Sequence, residues 1–177
     1  MPNPPPQDLV IRQAISVSDI DAATSCFRAY TEWLNMDLAF QDFGTEISTL
    51  PGKYAAPKGA LLLACDPCSQ EVLGCIAMRP LDLQPEFRTK RRADAKYCEL
   101  KRLYVYPSAR GRNIARRLVV EALRAAKDQG YNEALLDTLE SMTAAISLYR
   151  SLGFEETERY YPNHGQGFIN MSKKIHQ

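Results

Sequence analysis

Apolar residues recur at helical spacing in four segments of the chain. The clearest is 113–129, where every fourth position is apolar and Gly130 follows as a stop signal. The stacked positions are Ile114, Leu118, Ala122 and Ala126. Residues 18–35 show the same period, with Ser18 as the predicted N-cap. The two shorter predicted helices are 37–49 and 143–151.

Short apolar runs bounded by turn residues predict strands between these helices. Gly59–Cys65 and Glu71–Met78 flank a turn and indicate an antiparallel hairpin. Residues Tyr97–Tyr106 alternate with a period of two, which predicts a shared face for every second residue. That face carries Tyr97, Glu99, Lys101, Leu103 and Val105. Further strands are predicted at 9–15, 134–138, 154–160 and 167–173.

The order of these elements predicts an α/β fold. Strands come first, a strand–helix–strand–helix unit follows, and two strands end the chain. This order is typical of a mixed, mostly antiparallel sheet of six or seven strands with helices on both faces. A chain of 177 residues suffices for one such domain and is short for two. We therefore expect a flexible, proline-rich tail at 1–7 and a single domain over 8–177.

Composition narrows the class of protein. With 45% hydrophobic and 24% charged residues, the chain is typical of globular proteins rather than disordered or fibrous ones. Its apolar runs fall short of the about eighteen residues that span a bilayer, and its start lacks a secretory pattern. We expect a cytoplasmic protein without a membrane partner, whose five cysteines are reduced. Cys65 and Cys68 match C-x-x-C, but further ligands are missing nearby, so no metal is expected.

Charge is unevenly distributed along the chain. The window 88–117 holds eleven Lys or Arg and two acids, a net charge of +9, whereas the whole chain carries +1. A chain polarised in this way favours the binding of a concentrated anion such as a polyphosphate.

A basic, glycine-containing loop joins the strand ending at Tyr106 to the helix starting near Ile114. The first N–H groups of a helix lack internal partners and its dipole favours negative charge, so a helix start accommodates phosphate. Gly111 permits close approach of the backbone, and the small Ala115 leaves room for a ligand. The added positive charges are Arg110, Arg112 and Arg116. The loop predicts a pyrophosphate site, whereas the dinucleotide G-x-G-x-x-G and Walker patterns are absent from the sequence.

Two segments resemble motifs of the GNAT superfamily of N-acetyltransferases. The pattern [QR]-x-x-G-x-[GA] is matched by Arg110–Ala115, except that Asn113 replaces the middle glycine. Asn tolerates left-handed backbone better than most residues do, so the loop is retained. A later signature, a small residue followed by Leu-Tyr and then Gly-Phe, is present over Ala145–Phe154. Met142 stands where family members often carry Asn.

The resemblance implies a GNAT-like single domain that uses acetyl-CoA as cosubstrate. It places acetyl-CoA in a V between the strand before the basic loop and the strand at 134–138. The strand backbone would pair with the pantetheine arm, the loop amides would hold the pyrophosphate, and the start of the next helix would line the other wall. The implied cofactor-binding residues are Leu103, Tyr104, Val105, Arg110, Gly111, Arg112, Asn113, Ile114, Ala115, Arg116, Ser141, Met142 and Ala145.

Acetyl transfer requires a neutral amine to attack the thioester and a thiolate to leave. The resemblance implies that Tyr149 protonates the departing sulfur. Glu99 occupies the position of the general base in some family members, whereas pairing with Lys101 would lower its pKa and make it structural. A base role for Glu99, a structural ion pair and proton transfer through water all stay open. An acyl-enzyme on Cys98 is disfavoured because Cys98 lies on the opposite strand face from Glu99.

The expected acceptor is a small-molecule amine. Residues 19–46 hold six acids against one arginine, interleaved with aromatic residues. An acidic, aromatic wall suits a cationic amine. The predicted substrate-binding residues are Tyr30, Trp33 and Tyr160.

Other functions stay open beside direct transfer to a small amine. The departures at Asn113 and Met142 are compatible with a protein that binds CoA without transfer. A protein N-terminal or lysine acetyltransferase is a further alternative, and a homodimer is also left open. The basic run 88–92 is compatible with a nucleic-acid module, but it lacks aromatic residues for base stacking, so no nucleic-acid partner is expected.

Overall fold

The computed structural model describes residues 9–35, 42–88, 91–92, 94–162 and 167–176. The expected tail at 1–7 lies outside the described residues. The elements in chain order are β1 (Val10–Gln13), α1 (Val17–Leu34), α2 (Phe43–Ser48), β2 (Ala60–Cys65), β3 (Val72–Leu81), β4 (Tyr97–Val105), α3 (Ile114–Asp128), β5 (Glu133–Leu139), α4 (Thr143–Ser151), β6 (Glu155–Glu156) and β7 (Phe168–Lys174).

The described strands form one seven-stranded sheet in the order β1-β2-β3-β4-β5-β7-β6. Only β4 and β5 are parallel among the described neighbouring pairs, and the other five pairs are antiparallel. The α3 crossover accounts for this arrangement, since parallel neighbours need a long connection. The predicted mixed, mostly antiparallel sheet is confirmed, as is the hairpin of β2 and β3.

Helices cover both faces of the sheet. On one face, α3 packs the predicted stripe of four apolar residues into the core, each at most 2% exposed, and α4 adds Tyr149 beside them. On the other face, α1 buries Ala23, Cys26 and Phe27 against β2 and β3. Because β2 is covered on both faces, all six of its residues are buried.

The start of α1 differs from the prediction. Ser16, not Ser18, is the N-cap, and its hydroxyl accepts a hydrogen bond from the Asp19 amide at 3.1 Å. The Asp19 carboxylate accepts in turn from the Ser16 amide at 3.1 Å, which completes a capping box. The sequence is ambiguous here because Asp21 stands three residues after Ser18 just as Asp19 stands three residues after Ser16.

A bulge in β4 also corrects the prediction. In the pairing with β3, Lys101 lies opposite Ala77 and Tyr104 lies opposite Cys75. β4 therefore advances by three residues where β3 advances by two, and Arg102 between them has a positive φ of 58°. Two residues of β4 therefore oppose one of β3. As a result, Leu103 and Val105 pack in the cluster of Cys98 and Leu100, on the opposite face from Glu99 and Lys101.

Other boundaries shift as well. The second predicted helix is observed as α2 only from Phe43, and residues 37–41 of its predicted range lie outside the described part. The strand predicted at 154–160 is only two residues long, since β6 (Glu155–Glu156) pairs with β7 at two positions, Ser172 and Met171. None of the helices in the described ranges combines the length and apolarity needed to cross a membrane.

Candidate active site

The strands β4 and β5 separate part of the way along their length. They pair from Tyr97 and Glu133 as far as Glu99 and Leu135, and then diverge. The gap opens into an inner cleft of about 650 Å³. Its walls come from both sheet faces, since Tyr30 of α1 and Tyr149 of α4 both line it. This is the V-shaped opening that the family resemblance implies.

The loop before α3 brings an open helix start to the outer end of this gap. Gly111 has φ of 78° and an added Cβ would meet open space, so the backbone is accessible there. Asn113 is the N-cap in the left-handed region at φ of 61°, and its side chain makes no capping hydrogen bond. The first amides of α3 are therefore not capped by Asn113, which suits an anionic ligand.

The three arginines predicted beside the loop make separate contacts. Arg110 donates from Nε to the Val105 carbonyl at 3.2 Å, and its Cζ lies 5.0 Å from the centre of the Trp33 ring. Arg116 donates to the Ser151 hydroxyl at 2.5 Å, and Arg112 lies 3.9 Å from an Asp66 oxygen. Ile114 is buried in the core and offers only its backbone, while Ala115 is half-buried.

An outer cleft of about 740 Å³ continues from the inner one, since both share Leu34, Leu139, Met142 and Ala145. Trp33 lines one side of the outer cleft and Ser141 the other. Trp33, predicted to bind the acceptor, therefore lies on the side of the basic loop. Met142 is the N-cap of α4 but makes no side-chain capping hydrogen bond, and its sulfur accepts from the Thr138 hydroxyl at 3.7 Å.

Tyr149 lies in the wall of the inner cleft. Its ring packs edge-on against Phe154 with centroids 5.6 Å apart, which fixes the side chain. Burial raises the pKa of Tyr149 above that of an ordinary phenol, and Tyr30 and Asp137 act in the same direction. The hydroxyl is thus protonated at neutral pH.

Glu99 is the centre of a buried ionic network. It is 1% exposed, and its Oε2 accepts from Nε and lies near Nη2 of Arg79, each at 2.7 Å. Its Oε1 accepts from the Tyr160 hydroxyl at 2.9 Å and lies 3.5 Å from Lys101 Nζ. Burial alone would raise the pKa of Glu99, but the charges of Lys101 and Arg79 and these hydrogen bonds hold it below its usual value.

These contacts favour the structural ion pair over a base role for Glu99. Both carboxylate oxygens are occupied, and a carboxylate with a lowered pKa is a weak base. They also correct the prediction for Tyr160, which is 1% exposed and bound to Glu99 rather than facing a cleft. Burial raises the pKa of the Cys98 thiol to about 12, which does not favour an acyl-cysteine.

Asp137 of β5 is a cleft residue that the sequence analysis missed. It lines the inner cleft together with Tyr149, and its Oδ2 accepts from the Tyr161 hydroxyl at 2.7 Å. Its Oδ1 lies 3.6 Å from Lys101 Nζ. The available signal was a single acid inside the otherwise apolar run 134–139.

The described residues do not form the acidic wall as predicted, and residues 36–41 of that segment lie outside the described part. Asp19 is engaged in the α1 cap and bonded to Arg12. Glu46 accepts from Arg102 through both oxygens, at 3.0 and 2.6 Å, and from the Tyr54 hydroxyl at 2.5 Å. Since the inward-facing acids are neutralised by arginines, they do not form a free anionic surface for a cationic amine.

A polar cleft of about 610 Å³ adjoins the inner cleft, with which it shares Lys101 and Arg102. A rim cleft of about 440 Å³ lies beyond it and shares Glu46 and Arg79. The remaining lining residues of the polar cleft are Leu81, Glu99, Tyr161 and Pro162. The described residues contain no group of three or more His, Cys, Asp or Glu placed to hold a metal ion.

Tyr30 is the predicted acceptor residue that does border the inner cleft. It belongs to an aromatic cluster with Trp33 and Tyr104, whose ring centres lie 6.3–6.4 Å apart. Burial raises the pKa of Tyr30, so it also stays protonated at neutral pH. The cluster joins the end of α1 to β4 at the edge of the gap.

Known proteins are similar to this chain in sequence and in architecture. The model of the acetyltransferase (GNAT) family matches residues 24–154. An uncharacterized N-acetyltransferase of Schizosaccharomyces pombe is 34% identical over 158 residues, covering 89% of this chain and 90% of that protein. An acetyltransferase structure from Streptococcus agalactiae matches with a TM-score of 0.73 at 20% identity, covering 96% of this chain and 99% of that one. A Salmonella typhimurium structure with its cofactor acetyl-CoA matches with a TM-score of 0.66 at 17% identity, covering 96% and 95%. The chain therefore belongs to the GNAT family of acetyltransferases and is an acyltransferase.

Proposed function

We propose that the chain transfers the acetyl group of acetyl-CoA to a primary amine by direct attack in a ternary complex. The observation that carries this proposal is the divergence of β4 from β5, with an uncapped helix start at one end and Tyr149 beside the inner cleft. A small-molecule acceptor is favoured because the polar cleft adjoins the inner cleft, with which it shares Lys101 and Arg102.

The residues around the gap are suited to acetyl-CoA. The amides from Gly111 to Arg116 lie at a helix start that favours an anionic group such as the diphosphate, and Arg110 and Arg112 add positive charge. The β4 backbone at 103–105 no longer pairs with β5, so it is available to the pantetheine amides. Ser141, Met142 and Ala145 supply the opposite wall.

A phenol and a carboxylate in the lining of the inner cleft, Tyr149 and Asp137, support assigning them the roles of acid and base. The neutral amine nitrogen attacks the thioester carbonyl carbon, the carbon–sulfur bond breaks, and Tyr149 donates its hydroxyl proton to the sulfur. Asp137 accepts the proton that the amine loses, because its carboxylate lines the same cleft as Tyr149. The accepting atom is Oδ1, which lies 3.6 Å from Lys101 Nζ, since Oδ2 is bound by the Tyr161 hydroxyl. Return of that proton to Tyr149 restores both groups and leaves free CoA and an amide.

Substitution of Tyr149 tests the acid role. Tyr149→Phe is expected to lower kcat about a hundredfold while the Kd for acetyl-CoA stays unchanged, since only the proton donor is lost. Release of free thiol from acetyl-CoA across an amine panel measures turnover, and calorimetry measures binding. Tyr131→Phe is the matched control, because Tyr131 donates to the Lys58 carbonyl outside these clefts. Undiminished kcat in Tyr149→Phe would remove the acid role.

Substitution of Asp137 separates the proposed base from Glu99. Asp137→Asn is expected to lower kcat about a hundredfold or more while the Kd for acetyl-CoA stays unchanged. Asp128→Asn, at the end of α3, is the matched control. Undiminished kcat in Asp137→Asn contradicts the base role, and binding of acetyl-CoA without turnover of any amine by the native chain contradicts transferase function.

A further inference from the structure

Charged side chains follow a fixed order along the inner, polar and rim clefts. Asp137 lines only the inner cleft, Lys101 and Arg102 line the inner and polar clefts, and Arg79 lines the polar and rim clefts. This shared lining gives an order along the path, from Asp137 near Tyr149 to Arg79 at the outer end.

The acids along the path are already neutralised. Glu46 and Arg102 form a bidentate pair, with no net charge. Arg79 and Lys101 share the single carboxylate of Glu99, so these three groups together carry one positive charge.

The two ends of this network differ in charge. Lys101 Nζ also lies 3.6 Å from Asp137, so Arg79, Lys101, Glu99 and Asp137 together carry no net charge. Arg79 has Glu99 as its sole acceptor among the described residues, and 28% of its side chain is exposed. The path thus has a carboxylate, Asp137, at the end toward Tyr149 and a cation, Arg79, at its outer end.

We infer that the acceptor is an amine that also carries a carboxylate, of the amino-acid kind, with the amine toward Asp137 and the carboxylate toward Arg79. Glu99 engages Nε and Nη2 of Arg79 among the described residues, and Nη1 offers charge-assisted donors to a second carboxylate. Leu81 and Pro162 are the apolar members of the polar cleft and offer contacts for an uncharged side chain. Polyamines are disfavoured because their second charge would meet Arg79. This inference rests on the proposed transfer to an amine.

Matched sets of acceptors test the inference. Three sets are used, built on alanine, leucine and phenylalanine. Each set holds the free amino acid, its amide and the corresponding amine without the carboxyl group. Release of free thiol from acetyl-CoA measures turnover. In the native chain, kcat/KM for the amino acid is expected to exceed that for its amide by about tenfold to a hundredfold in each set that is turned over. A polyamine and a short peptide amide complete the panel.

Substitution of Arg79 tests whether this residue causes the preference for the amino acid over its amide. In Arg79→Gln the ratio of kcat/KM for the amino acid to kcat/KM for its amide is expected to fall to about one, because KM for the amino acid rises. Arg79→Lys is expected to retain part of this preference. Arg124→Gln, which removes an exposed charge on α3, is expected to leave the ratio unchanged. The ratio is taken within each variant, so partial unfolding of one variant does not alter it.

Each outcome decides between the possibilities. Equal or better turnover of amides, polyamines or peptides overturns the carboxylate assignment while leaving the transferase function intact. A preference that survives in Arg79→Gln overturns the role of Arg79. Binding of acetyl-CoA without turnover of any acceptor in the panel overturns the proposed function itself, together with the inference.

Discussion

Arg110 and Trp33 bring the loop before α3 into contact with the end of α1. The guanidinium lies 5.0 Å from the centre of an indole that is 47% exposed, and the same arginine bonds the Val105 carbonyl. Trp33 also borders the outer cleft opposite Ser141. A ligand that enters the outer cleft therefore changes the surroundings of this ring.

Trp33 is the sole tryptophan of the chain, so its fluorescence reports on this region alone. Titration with acetyl-CoA is expected to change the emission of Trp33, because the ligand excludes water from the ring and draws Arg110 toward its phosphates. Free N-acetyltryptophan corrects for absorbance by the ligand, and Trp33→Phe removes the signal. Heat of binding in calorimetry without any change in emission would place the ligand elsewhere.

Asn113 adopts the left-handed conformation where many family members have glycine. Asn113→Gly is expected to change the free energy of unfolding by less than about 1 kcal/mol, since Asn tolerates this conformation. Asn113→Val is expected to destabilise by about 1–2 kcal/mol, because a β-branched side chain resists positive φ. Urea denaturation of the two variants measures both effects, and equal destabilisation would contradict this account.

Residues within one motif were predictable, whereas residues that meet across elements were not. The left-handed tolerance of Asn113 and the position of Tyr149 follow from local spacing. Asp137 and Arg79 lie on β5 and β3, and their places along the clefts depend on the divergence of β4 from β5. Periodicity within one strand contains no information about that divergence.

At the scale of elements, the Glu99 network joins β3, β4 and the segment at Tyr160. Glu99→Gln is expected to lower the free energy of unfolding at pH 7 by about 3 kcal/mol, because two buried cations lose their shared partner. Glu121→Gln, which disrupts a surface pair on α3, is the control and is expected to cost less than about 1 kcal/mol.

The same network has a defined pH dependence. The pKa of Glu99 is lowered on folding, so its contribution is complete above the usual carboxyl pKa and is lost as the pH falls through the lowered value. The difference in Tm between Glu99→Gln and the native chain is therefore expected to be largest near pH 7 and to shrink under acid conditions. A difference that grows with falling pH would contradict this assignment.

The helices were more predictable than the strand irregularity that shapes the site. The stripe on α3 and the bounds of α4 follow from residue spacing, because each packs one face on the sheet. The bulge at Arg102 has no such signal, since it depends on the pairing of β4 with β3. For that reason the predicted common face of Glu99 and Val105 was wrong.

At the scale of the molecule, the basic window 88–117 does not form one patch. Arg102 is engaged by Glu46, Arg117 donates to the Leu9 carbonyl at 2.7 Å, and Arg92 pairs with Asp94. Within the described part of this window, the arginines of the loop before α3 lie next to the helix start. Total charge along a segment therefore overstates the charge at the proposed anion site, for which the local motif is the more specific signal.

A crystal structure with bound CoA tests the central claim most directly. The account predicts the diphosphate within hydrogen-bond distance of the amides between Gly111 and Arg116, the pantetheine in the gap between β4 and β5, and the sulfur beside the Tyr149 hydroxyl. A diphosphate bound away from that loop, or a sulfur remote from Tyr149, would contradict the account.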